Sequence, residues 1–245
     1  MFSFFKSKPK LKDLIPNNYV DIHSHILPGI DDGSKSIQET NDLLNHMRKL
    51  GFEQCIGTPH TLSGVWDNSQ KSILDSFELC QNELTLPNQV MLKRAASEYM
   101  IDQSFAKRIE SETLLTLKDD YVLVEMSYQA PPMGLFEILF ELQLKGYRPV
   151  LAHPERYNFY HHDFKAYEKL FKTQCQFQLN LLSVVGYYGK EVAQMAQKLL
   201  DAKMITYVGS DAHHQRHLNA FQGEVLLKKT IHLEEAIQNN QFFRV

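Results

Sequence analysis

Cysteine is scarce in this chain of 245 residues: there are three, Cys55, Cys80 and Cys175, and none forms a C-x-x-C pair. An odd number at wide spacing excludes a disulfide framework and a zinc knuckle, and it fits a reducing cytoplasm. A thiolate that attacks phosphate esters needs an arginine six positions later to close its loop, but those positions hold Thr61, Leu86 and Leu181. A G-x-x-x-x-G-K-[ST] loop for nucleotide phosphates is missing as well. Basic charge is not in excess, since the formal net charge is -3 and the isoelectric point about 6.4. That balance argues against nucleic acid as the main partner. Long apolar runs are absent too. The opening "MFSFFKSKPKLK" is too short in its apolar part for a signal peptide or a membrane span. Residues 1–18 read as a flexible or docking tail, with membrane contact at most weak.

What is present is a 43% hydrophobic composition, enough for one full core, so residues 19–245 are expected to form a single domain. Short apolar runs alternate with amphipathic stretches, the pattern of βα units around a parallel sheet. Seven strands are predicted at 19–23, 53–57, 90–96, 121–126, 149–153, 176–180 and 205–209. Helices are predicted at 36–50, 70–84, 132–145 and 189–202, with weaker patterns at 102–110 and 163–173. The first starts on "SIQE", a capping box at Ser36 and Glu39. The fold class is α/β, and the placement of polar residues favours a distorted (β/α)7 barrel over an open sheet.

In such barrels chemistry collects at the carboxyl ends of the strands. The first segment, "VDIHSHILPGIDDG", offers His23, His25, Asp31 and Asp32 in one stretch. The second strand runs into His60, the third ends at Glu98, the fourth carries Glu125, the fifth ends at His153, and the seventh leads to Asp211 and His213. Taken singly, each has an ordinary explanation as a cap, a loop anchor or a satisfied core residue. Together, six of the seven strands deliver an imidazole or a carboxylate to one rim. Glu125 interrupts an apolar strand and needs a cation to be tolerated there. Mixed imidazole and carboxylate donors suit Mn²⁺, Zn²⁺ or Fe, and nine donors (His23, His25, Asp32, His60, Glu98, Glu125, His153, Asp211, His213) are too many for one ion. Two or three metals are expected. His46, His161, His162, His214, His217 and His232 keep the ordinary reading.

The elements "DIHSH…DDG", "TPH", the Glu after strand three, "HPERY" and "SDAH" resemble the PHP metal-dependent phosphoesterases. Within them the likeness is greatest to the bacterial capsule-type (CpsB/CapC) protein tyrosine phosphatases. The resemblance spans residues 19–245. It implies a TIM-like barrel with up to three divalent metals, manganese first and Fe, Zn, Co or Mg as alternatives. It also implies a phosphotyrosine substrate on a bacterial tyrosine kinase, at its C-terminal tail, in capsule or exopolysaccharide synthesis. Carried over by position, the family's metal ligands are the same nine residues and its phosphate-binding arginine is Arg156. A second arginine falls on Arg216, at a spacing that departs from the pattern. The competing readings are a histidinol-phosphate-type phosphatase or nuclease of the same family, an amidohydrolase, and a metal-stabilised module without catalysis. An amidohydrolase lacks its bridging lysine here, and a structural site needs only four ligands. Trp66, in a loop after His60, is a candidate lid over the site.

Overall fold

The computed structural model describes residues 8–245. Nine strands and nine α-helices alternate among them. The strands are β1 (Tyr19–Asp21), β2 (Phe52–Gly57), β3 (His60–Thr61), β4 (Leu92–Ala95), β5 (Glu98–Met100), β6 (Tyr121–Glu125), β7 (Arg148–Ala152), β8 (Gln176–Asn180) and β9 (Ile205–Gly209). The helices are α1 (Ile37–Lys49), α2 (Gln70–Glu83), α3 (Leu86–Met91), α4 (Gln103–Ser111), α5 (Leu135–Leu144), α6 (Phe164–Lys172), α7 (Lys190–Asp201), α8 (Gln215–Asn219) and α9 (Ile231–Asn239). Every strand pairing is parallel.

The strands form two sheets, β1-β2-β4 and β3-β5-β6-β7-β8-β9, and no single closed sheet. The strand expected at 53–57 is present as β2, and after it and after β4 the chain adds a short extra strand each, β3 and β5, across a break. Pro59, which has no N–H to give to a ladder, stands at one break. Backbone bonds still cross between the pieces, from Ala96 N to Gly57 O (2.8 Å) and from Glu98 N to Pro59 O (3.0 Å). At the far edge, Asp211 N donates to His23 O (2.8 Å) and His25 N to Ala212 O (3.0 Å), so the loop after β9 meets the loop after β1.

The helices start where the sequence supplies caps. Ser36 accepts from Glu39 N at the start of α1, while the Glu39 carboxylate turns to Lys35 N (2.8 Å), completing only half of a capping box. Ser69 and Ser72 make the full reciprocal box on α2, and Asp102 caps α4. The helix expected from 132 begins instead at Leu135, because Pro131 and Pro132 lie before it and Gly134 takes a left-handed turn (φ 72°). The strand expected over 90–96 is also corrected. Val90 and Met91 close α3, which Pro87 initiates, and extended backbone starts only at Leu92.

The tail expected for residues 1–18 needs correction over its described part. Leu11–Leu14 forms a 3-10 turn, Leu11 and Ile15 are buried, and backbone bonds tie Leu11 N to Gly223 O and Val225 N to Pro9 O. Apolar side chains dock this stretch on the core, so of the two readings, flexible or docking, the described part follows the second. Residues 1–7 lie outside the described residues.

Three apolar clusters fill the domain. The innermost contains Val20, Ile22, Ile56, Leu123, Val150, Ala152 and Tyr207. Side chains alternate along each strand, so in β6 Tyr121 and Leu123 point inward while Val122 and Val124 pack on the helices outside. The same parity puts Glu125, the last residue of β6, on the inner face at the rim. β8 alternates likewise, with Phe177 and Leu179 outward and Gln178 and Asn180 on the other face. The fold therefore seats a polar layer on top of an apolar plug.

Candidate metal centre

At that rim the nine expected donors come together. Their ligating atoms fall into four groups, each within 4.8 Å: His25, Asp32, His60 and His213; His23, Glu98 and His153; His23, His25 and Asp211; and His60, Glu98 and Glu125. Glu98 is central to them. Its buried Oε2 has no hydrogen-bond partner, yet lies 3.2 Å from His23 Nε2, 3.3 Å from His25 Nε2 and 3.1 Å from His60 Nδ1. Its Oε1 faces His153 Nε2 at 3.0 Å. Glu125 Oε1 lies 2.7 Å from His60 Nδ1, which answers the need for a cationic or donating partner in that strand.

Two residues on the rim hold an unusual backbone. His153 (φ 36°) and Asp211 (φ 50°) are left-handed, a conformation costly for a side chain with a Cβ, and both are almost fully buried. Close approach has the same signature at Gly209, where an added Cβ would stand 2.6 Å from His23 Cβ.

A second layer orients the first. His23 Nδ1 donates to Gln178 Oε1 (2.7 Å), an atom that only accepts, so the neutral ring carries its lone pair on Nε2. His25 Nδ1 does the same toward Asp31 Oδ2 (2.7 Å). The two Nε2 atoms face one another at 3.2 Å. Paired lone pairs at that distance, with an unpartnered carboxylate oxygen beside them, are relieved by a proton or by a cation among them. This donor set fits divalent ions that accept both nitrogen and oxygen. Asp31 is thus a support, its Oδ1 accepting from Gly33 N (2.8 Å), while its neighbour Asp32 is half exposed at the mouth.

Ionisation follows the same logic. Burial raises Glu125 to about 7, helped by the Glu98 carboxylate and opposed by His60. Burial and the nearby His25 would lower His60, but Glu98 and Glu125 carry it up to about 10. Asp211 resists burial because His23, His213 and Arg156 hold its carboxyl well below the usual range. Carboxylates and imidazoles thus hold one another's charge in balance, and each shift has a neighbour of the cluster as its cause.

Arg156 reaches the cluster from the turn after β7. Its Nη1 donates to Asp211 Oδ2 (2.7 Å), and its guanidinium lies over the rings of Tyr188 (4.0 Å) and Tyr128 (4.8 Å). Asn180 Nδ2 shares Asp211 Oδ2 at 2.9 Å and also donates to Tyr188 Oη (3.1 Å). The buried Glu155 accepts from Asn180 N (2.9 Å) and Ser183 Oγ (2.6 Å), tying the turn after β8 to the turn after β7. Trp66 stacks on His60, with ring centroids 4.9 Å apart and 17° between planes. A cavity of about 250 Å³ opens above, walled by Asp32, His60, Tyr128, His153, Arg156, Tyr188, Asp211 and His213, and also by His214 and His217, which the sequence had left among the ordinary histidines.

Arg216 does not line this cavity. It is exposed on α8 and borders a neighbouring groove. The three cysteines are buried and none lines the cavity, with burial pushing Cys80 and Cys175 up to about 12. Sequence reasoning missed Gln178, Asn180, Glu155, Tyr128 and Tyr188. Their signal was faint: β8 was the one predicted strand without a donor at its end, yet it carries two buried amides on its inner face.

The fold and the rim define an α/β protein whose strand ends converge on a cluster of potential metal ligands. Residues 19–230 match the capsular polysaccharide synthesis family CpsB/CapC, and the chain belongs to that family. It is 30% identical over 212 residues to the tyrosine-protein phosphatase YwqE of Bacillus subtilis, covering 84% of this chain and 82% of that one. It is 27% identical over 202 residues to the tyrosine-protein phosphatase CpsB of Streptococcus pneumoniae, covering 80% and 83%. Crystal structures of YwqE and CpsB, described as unique metal-dependent tyrosine phosphatases, include a chain that superposes with a TM-score of 0.74. That chain is 26% identical, with 91% of this chain and 85% of that one covered. Among the described residues, no helix is long and apolar enough to cross a membrane.

Proposed function

We propose that this protein is a metal-dependent protein tyrosine phosphatase. The observation that carries the reading is the unpartnered Glu98 Oε2 amid three imidazole nitrogens, with the Arg156 guanidinium one carboxylate away. His23, His25, Asp32, His60, Glu98, Glu125, His153, Asp211 and His213 hold two or three divalent ions, manganese first. When bound, such ions lower the pKa of coordinated water toward about 7 and polarise phosphoryl oxygens.

The chain's own residues do the rest. Arg156, pinned between two rings, presents its fork to the phosphate and stabilises charge as the ester bond breaks. Tyr128 walls the side from which an aryl group enters, and Trp66 stacks behind His60 on the opposite wall. A tyrosine phenol, with a pKa near 10, leaves with little protonation, so no strong general acid is required. The ring of parallel strands, linked at β9–β1 by the two backbone bonds, is read as a distorted (β/α)7 barrel of one domain over residues 19–245. The relatives' names support a phosphotyrosine protein as substrate, which we take to be the C-terminal tail of a cytoplasmic bacterial tyrosine kinase in capsule or exopolysaccharide synthesis.

Purified protein stripped of metal and reloaded with Mn²⁺ is assayed on a phosphotyrosine peptide, a phosphoserine peptide and histidinol phosphate, alongside elemental analysis. The reading expects metal bound at two or three per chain and turnover favouring phosphotyrosine by orders of magnitude. Equal rates on histidinol phosphate would hand the site to a small-metabolite phosphatase.

A further inference from the structure

His217, on α8, walls the reaction cavity and is nine-tenths buried, but it is not one of the nine donors. Its hydrogen bonding settles where its proton sits. The Nδ1 atom accepts from His213 N (3.2 Å), and a backbone N–H can only donate, so the ring is neutral with its lone pair on Nδ1 and its hydrogen on Nε2. His213 turns its own Nδ1 to the Asp211 carbonyl (2.9 Å), which leaves its Nε2 for a metal. Support of His213 thus accounts for one nitrogen of His217 and not for the other. His217 Nε2–H has no acceptor among the described residues, and unlike the unpartnered Glu98 Oε2 it is not sealed from solvent. The carboxylates of the same wall are engaged elsewhere: Asp211 Oδ2 accepts from Arg156 and Asn180, and Asp32 faces His60 and His213.

Aromatic rings fix the imidazole in place. Tyr187 meets it edge-on, with centroids 5.1 Å apart and 84° between planes, and His214 packs 3.9 Å away. Tyr187 also meets Tyr188 edge-on (5.1 Å), the ring on which the Arg156 guanidinium lies. Two adjacent tyrosines therefore support two donors in the wall of one cavity, Arg156 and His217. A phosphate monoester brings three outer oxygens, more than the guanidinium fork alone can satisfy. Resting on the phosphatase reading above, we propose that His217 is a second phosphate-binding residue, donating from Nε2–H to a phosphoryl oxygen of the ester. A neutral donor of this kind grips the bound phosphate and the transition state alike, so its removal lowers kcat/KM and weakens inorganic phosphate as an inhibitor.

The experiment uses the full, Mn²⁺-loaded chain with p-nitrophenyl phosphate and a phosphotyrosine peptide as substrates and inorganic phosphate as product inhibitor. Two variants separate the roles of the ring nitrogens. His217→Asn keeps an acceptor near the place of Nδ1 for His213 N and loses the donor, whereas His217→Gln puts an amide N–H near the place of Nε2. His217→Asn should keep its metal by elemental analysis, lose about ten- to a hundred-fold in kcat/KM on both substrates, and raise the inhibition constant of phosphate by a similar factor. His217→Gln should recover most of both. Wild-type kinetics and phosphate inhibition in His217→Asn would overturn the proposal and leave the phosphatase reading standing. So would a loss of activity that spares phosphate inhibition, or a loss of metal in both variants, since the residue would then serve only to hold His213. A wild type inactive on both substrates overturns the phosphatase reading and this proposal with it.

Discussion

Five described residues other than glycine adopt a left-handed backbone, and they divide by the end of the strand at which they stand. Asp119, Gln174 and Lys203 each sit two residues before a strand, exposed, where the chain turns into the sheet. His153 and Asp211 sit just after β7 and β9, almost fully buried, among the candidate ligands. One conformation thus has two causes. At the amino ends it closes a connection, and any residue that tolerates the turn suffices. At the carboxyl ends it aims a side chain, and the cost is borne because hydrogen bonds such as Asp211 N to His23 O and His153 N to Gln178 O (2.7 Å) hold the strained backbone in place. The largest described cavity, about 880 Å³, also lies at the amino ends, by Phe140, Leu144 and Arg148, and it has no converging donors. Volume alone does not mark the working end.

The comparison breaks most visibly if the carboxyl rim is emptied. Chelation by EDTA, or Glu98→Ala, should cost on the order of a thousand-fold or more in kcat on a phosphotyrosine peptide, and Mn²⁺ should restore the chelated wild type but not the variant. Full activity in metal-free protein, verified by elemental analysis, would refute the metal centre.

A smaller loss is expected at Arg156. Arg156→Ala should keep its metal yet lose about 2 to 4 kcal/mol of transition-state stabilisation, read from kcat/KM. Loss of metal in that variant would show that the arginine's role is to hold Asp211 and not the substrate.

At the amino ends the same kind of backbone should be dispensable. Lys203→Gly relieves a left-handed residue (φ 56°), and urea unfolding should register no loss and up to about 1 kcal/mol of gain, with kcat unchanged. Destabilisation by more than that would mean the lysine side chain matters for its own sake.

Least of all should happen at the thiols. A group raised from its ordinary value near 9 to about 12 is almost wholly protonated at pH 8, and the thiol is the unreactive form. Iodoacetamide at pH 8 should therefore leave folded enzyme unlabelled and active, and labelling should appear only on unfolding. Rapid inactivation would reopen thiol chemistry.

Much of the site could be read from the chain because buried acids and histidines are conspicuous. Glu125 in "YVLVEM" and His153 in "PVLAHPERY" stand out against apolar neighbours within a few residues. Strand parity then supplies their direction. The fold was less legible where local propensity misled. "VMLKRAA" reads as one strand by its apolar content, yet Pro87 starts a helix that consumes its first two residues. Lysines at positions 6, 8, 10 and 12 disguise a segment whose Leu11 and Ile15 dock in the core.

The sequence by itself determined which donors exist, their order, and their place at strand ends, because ionisable groups beside apolar strands are costly to bury without a cation and so are rare by accident. Only the tertiary structure decided which atoms meet. It joined the loops after β1 and β9, set Gln178 and Asp31 behind the two histidines, clamped Arg156 between Tyr128 and Tyr188, and moved Arg216 out of the cavity into the groove. Amides, tyrosines and arginines are tolerated in many surroundings, so their roles depend on partners dozens or hundreds of residues away, and no local pattern encodes those.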